Sequence, residues 1–181
     1  MGFACRFEPQ AGKVQNSDQT KKSCMKKITN TLALLAITAW VGSIWGVGYL
    51  AVPVLFQTLP DKMMAGMLAG KMFTLVAYVG MVSACYLLIR QLAISGTAAL
   101  RLTVFRVASL MLLLTLVIQF GLQPAMADLK AQAFPEDIKH SAYAARFDTL
   151  HHVASFLYVI QSLLGILLVL QAKRVTLDSA D

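Results

Sequence analysis

The stretch RFDTLHHVAS, Arg146 to Ser155, sets an arginine, an aspartate and two adjacent histidines at the head of an apolar run. Neutral imidazole nitrogens ligate copper or haem iron. Asp148 stands three residues before His151, where a carboxylate orients such a ring by accepting its second N–H. Taken as one helix, Asp148, His151, Ser155, Tyr158, Ser162 and Gly165 recur at steps of three and four and are expected on one inward face, with His152 flanking it. Neighbouring side chains on a helix diverge by about 100°, so His151 and His152 do not close on one ion unaided. A metal site there needs a ligand from another helix.

Two readings of this stretch stand side by side. In the first, Asp148 favours a helix N-terminus or pairs with Lys71, Arg146 meets lipid phosphate, and the serines bond backbone carbonyls. In the second, His151 and His152 hold haem or copper. Met63, Met64, Met67 and Met72 fall near the same end, and thioethers with imidazole suit copper(I), although methionine also fills apolar helices. His140 is expected in a solvated loop. No nucleophile elbow, zinc-protease, phosphate-loop or dinucleotide fingerprint occurs, so no reaction is assigned.

The elements that position these residues follow from composition. The 181 residues are 57% hydrophobic and 14% charged, whereas soluble domains carry about 25% charged residues. The excess lies in four runs, roughly 28–56, 72–89, 107–122 and 150–170, each near the ~20 residues that cross a bilayer as a helix. None alternates as a strand of a membrane barrel does. The expected fold is all-α and integral to the membrane: an antiparallel four-transmembrane-helix bundle over residues 25–172. Residues 1–24 are expected to be a disordered cytoplasmic tail and residues 173–181 a second cytoplasmic tail. The stretch from Met25 resembles a natural membrane-protein start. Its apolar run is too long for a cleaved secretory signal, so it is expected to stay as the first helix.

The net charge of +7 is laid out by topology. Eleven of the 16 basic residues flank the runs on the side of both termini and five lie on the other, while the acids divide four and five. That is the positive-inside pattern, with both termini cytoplasmic in a bacterial inner membrane. The basic excess is thereby spent on orientation and lipid, and no nucleic-acid partner is expected. Three cysteines without a CxxC pair suggest neither a zinc site nor covalent haem.

Local signals refine this frame. Pro53 should bend the outer end of the first helix. Gly42 with Gly46, and Gly66 with Gly70, place small residues one turn apart, which suits close helix packing within the bundle or a homodimer seam. Trp40 lies too deep for an interfacial belt, so its indole N–H is expected to find a partner inside. QTLPD (57–61) and ISGT (94–97) read as tight returns. The long third connection, 123–149, contains PEDIK, which reads as the start of an outer amphipathic helix from Pro135 into helix four.

Read together, WVGSIWGVGYLAVPVLFQTLPDKMMAGMLAGKMF (40–73) and RFDTLHHVASFLYVIQSLLG (146–165) resemble the bacterial membrane family called domain of unknown function 4149. The likeness covers helices one, two and four; helix three and the first 24 residues are nondescript. Gly66, Gly70, Lys71, Phe73, Asp148, His151 and Ser155 match the family pattern by position, while the methionine cluster does not belong to it. The resemblance implies a fold and a membrane location, with a distant likeness to copper-resistance D-type proteins and small haem-pathway membrane oxidases. It implies no activity. The function expected is that of a non-enzymatic accessory, assembly or ligand-binding membrane protein. The alternative is a haem- or copper-handling one, and a homodimer or another membrane protein is the expected partner.

Overall fold

The computed structural model describes residues 11–133, 138 and 141–177. Among these there is no strand: every long element is helical. Helix α1 (Ala11–Trp45) runs through a π-helical turn (Gly46–Ala51) into α2 (Val52–Thr58). Helix α3 (Lys62–Ser95) ends in a 3₁₀ turn (Gly96–Arg101), and α4 (Thr103–Leu116) passes through a second π-helical turn (Val117–Leu122) into α5 (Gln123–Ala133). Helix α6 (Ala144–Leu177) closes the chain. Four spans are long and apolar enough to cross a membrane: Cys24–Thr58, Lys62–Arg101, Thr103–Ala133 and Ala144–Ala172. They pack in a ring, each against its two neighbours in the order one, two, three, four.

The distribution of residue sizes is that of a protein dissolved in lipid. Alanines 33, 65, 69, 84, 99, 108, 133 and 172 are buried, and Ser83, Thr115, Gln161 and Ser162 with them. Large apolar side chains such as Leu50, Leu75, Val82 and Phe156 lie outside. Lipid tails are as apolar as leucine, so helices gain by bringing small residues together and leave the bulky ones to the solvent. The exceptions form the core: Ile37, Trp40, Ile44, Met111 and Leu168 are fully enclosed.

The turns follow from local chemistry. Asp61 caps α3, its carboxylate accepting from the amides of Met63 at 2.9 Å and Met64 at 3.2 Å, which satisfies two donors the helix start leaves open. The Lys62 ammonium reaches back to the carbonyls of Phe56 and Leu59. Gly96 ends α3 at φ 53°, a conformation that penalises any residue with a β-carbon.

Two expectations are corrected. Residues 11–24, expected to be disordered, are the first turns of α1, because nothing between Pro9 and Pro53 breaks the helix; residues 1–10 lie outside the described residues. The third span does not stop at Leu122. Pro124 lacks the N–H that an α-helix requires of it, and the π turn just before it relaxes the crowding so that the helix continues to Ala133. Pro53 sits in the same relation to the π turn of the first span, where a bend was expected. Pro135, Glu136 and Asp137, the start expected for an outer helix, lie outside the described residues; Ile138 and Ser141 form turns, and α6 begins at Ala144.

Candidate functional site

The residues singled out by type cluster at the end of the bundle where α6 starts. The structure leaves Asp148, His151, His152 and Ser155 exposed, as it does Arg146 and Lys71. The His151 ring lies parallel to Phe147 at a centroid distance of 6.1 Å, and His152 is 6.4 Å from His151 at a tilt of 58°. Among the described residues no group of three histidine, cysteine or acidic side chains converges on a point, and no ion pair joins Lys71 to Asp148. His140 lies outside the described residues.

The stripe on α6 is inward only in its lower half. Ser162 and Gly165 are buried and Tyr158 half-buried, while Asp148, His151 and Ser155 face out. The cause is geometric. Seventeen residues separate Asp148 from Gly165 across five repeats, and an α-helix turns about 100° short of five revolutions over that length. The stripe therefore drifts round the helix, and its charged end leaves the bundle.

Lys130, which no motif flagged, enters this end instead. It reaches from α5 to place its ammonium 5.3 Å from the centre of the Phe147 ring and 3.5 Å from the Gly66 carbonyl. Gly66 borders that ammonium at ordinary van der Waals distance, 3.4 Å from where its β-carbon would stand.

Deeper in the bundle the polar groups are tied together. The Tyr158 hydroxyl donates to the Ile44 carbonyl at 2.5 Å, across from span four to span one. The ring lies where a side chain at position 48 would be: a β-carbon on Gly48 would come within 2.4 Å of it. Phe73 meets the same ring edge-on at 5.2 Å. One level further in, Gln161 donates to the Thr115 hydroxyl at 2.8 Å, which donates in turn to the Met111 carbonyl. Trp40 is fully enclosed as expected, but its indole N–H meets no acceptor; the ring lies against Gly80, 2.4 Å from a β-carbon there.

Of the four glycines expected to pack, Gly66 has near neighbours in Lys130 and Phe56. Gly42, Gly46 and Gly70 have no atom within 4 Å of a would-be β-carbon. Close approach occurs at Gly48, Gly80 and Gly165, the last against Val41 at 3.2 Å. On α3 the buried pair is Ala65 and Ala69, one residue before Gly66 and Gly70, so the small-residue spacing is present but turned by about 100°.

At the opposite end, span one meets span two through side chains again. The Tyr86 hydroxyl donates to the Thr29 carbonyl at 3.0 Å, and the Arg90 guanidinium donates from Nη2 to Asn30 Oδ1. Arg90 had counted only as a topology charge; its position directly after the apolar run was the available signal.

The family model for Domain of unknown function (DUF4149) matches residues 35–135. The match runs through the third span, which looks nondescript by eye, and stops before the Arg146–Ser155 stretch. No curated protein and no solved structure matches the chain.

Proposed function

Because the chain belongs to the domain of unknown function 4149 family and is a multi-pass membrane protein, we propose that it works as a non-enzymatic accessory, assembly or ligand-binding protein. One observation carries this reading. Inward polar side chains bond from span to span, Tyr158 to Ile44, Gln161 to Thr115, Tyr86 to Thr29 and one edge of Arg90 to Asn30. Asp148, His151 and His152, where α6 starts, face away from the bundle. Such a molecule presents surfaces rather than a reaction chamber. The exposed turn around Gly42, open to a second helix, suits a homodimer or a membrane-protein partner.

We assign it to a bacterial inner membrane with both termini cytoplasmic, on the strength of the eleven-to-five division of basic residues. Reporter fusions in the connection between spans three and four should report the outer side. A cytoplasmic signal there overturns the orientation.

The alternative, haem or copper handled by His151 and His152, has one feature in its favour: the His151 ring is held against Phe147 at the exposed end. Absorption spectra and metal analysis of the detergent-purified chain, before and after challenge with haem and copper(I), separate the two. The accessory reading expects a colourless, copper-free preparation. A haem absorption band, or one copper per chain, that disappears in His151→Ala sinks it.

A further inference from the structure

Arg90 is 9% exposed, yet among the described residues no opposite charge answers it. Its Nη2 gives one hydrogen bond to a neutral amide oxygen, on Asn30, and its Nε–H is buried with no acceptor. No carboxylate pairs with it among the described residues. Arginine keeps its charge in proteins, so the group cannot relieve this by losing a proton. A buried cation without a partner is among the costlier arrangements a fold can hold.

Its surroundings say what would answer it. Arg90 directly follows the apolar run that ends at Ile89, and Asn30 lies just inside the start of the first span, so both sit where hydrocarbon gives way to headgroups. Lys26 and Lys27 are exposed, and stand four and three residues before Asn30, on the same side of α1. The Tyr86–Thr29 bond one turn away fixes the two spans against each other, so the guanidinium is held rather than free to swing into water.

We infer that Arg90, framed by Asn30 and the Lys26–Lys27 pair, is a binding site for the phosphate of an anionic glycerophospholipid at this end of the bundle. A phosphate diester offers oxygens to the guanidinium edge that Asn30 leaves unmet, as a charge-assisted bond. The two lysines add attraction for a headgroup that carries no compensating cation. A zwitterionic choline lipid brings its own cation and gains less.

The test uses the full chain, delipidated in detergent, offered equal amounts of phosphatidylglycerol and phosphatidylcholine and read by native mass spectrometry. The wild type should retain phosphatidylglycerol several-fold over phosphatidylcholine. Arg90→Gln should abolish that preference, and Lys26→Gln with Lys27→Gln should reduce it. Asn30→Asp supplies the missing carboxylate from within, so it should keep the fold and lose the preference, which makes the result readable even where Arg90→Gln fails to fold. No preference in the wild type, or the same preference in Asn30→Asp and in the double lysine variant, overturns the site. Displacement of the lipid by millimolar inorganic phosphate overturns its assignment to a lipid.

Discussion

The two ends of the bundle use polar residues in opposite ways. Where Tyr86 meets Thr29 and Arg90 meets Asn30, the polar atoms bridge spans one and two. Where α6 begins, Asp148, His151 and His152 stand on the outside, and among the described residues the cation drawn inward is Lys130, over the Phe147 ring. The first end carries residues of unremarkable type in a fixed geometry. The second carries the richest chemistry in the sequence with little to hold it. A side chain becomes part of a site through helix rotation as much as through its functional group, and in this molecule rotation favours the plainer residues.

Substitutions at glycine break or sharpen this contrast most strongly. Gly80→Ala drives a β-carbon into the enclosed Trp40 ring, and Gly48→Ala does so into Tyr158; each should cost about 1–3 kcal/mol. Gly42→Ala and Gly70→Ala meet open space and should be neutral or stabilising by about 0.5–1 kcal/mol through lost unfolded-state freedom. Reversible unfolding in mixed micelles measures all four, and equal costs across the set would erase the distinction between packed and open faces.

Smaller effects are expected from the interhelix bonds. Tyr158→Phe and Gln161→Leu each remove one bond between spans, and the average for such bonds in membranes is about 0.6 kcal/mol. A loss above about 2 kcal/mol for Tyr158→Phe would mean that the hydroxyl holds the π turn of span one together as well as bridging to it. The smallest effect belongs to the end where α6 begins. Lys71→Ala and Asp148→Ala should add within about 0.3–0.5 kcal/mol, because no ion pair joins them. Coupling beyond that range in the double mutant would restore the pairing that the sequence suggested.

Much of the architecture was legible in the chain. Four apolar runs became four spans, Asp61 and Gly96 marked the turns they occupy, and Pro53 announced a distortion. What was not legible was azimuth. Gly66 and Gly70 carry the right spacing, but Ala65 and Ala69 carry it on the face that packs. The stripe from Asp148 to Gly165 was read as a straight line on a cylinder, although its repeat falls behind the helix and turns His151 outward. Gln161 and Thr115 gave a fainter signal, two polar residues at middle depth in separate apolar runs, and only the assembled bundle shows that they meet. The third span outruns its apolar run, 107–122, for a different reason: the residues beyond Leu122 are more polar, and a looser turn carries the helix past Pro124.

Both π turns have an effect on how this chain tolerates length changes. A π turn holds about one residue more than the α turn it replaces, so the residues beyond it lag about 100° behind the position round the axis that regular counting implies. The segments Val52–Thr58 and Gln123–Ala133 are thus phased independently of the helices that lead into them. A one-residue deletion at either place has a slack loop to take up, whereas the same deletion in α3 would swing every later side chain of that span away from its neighbours.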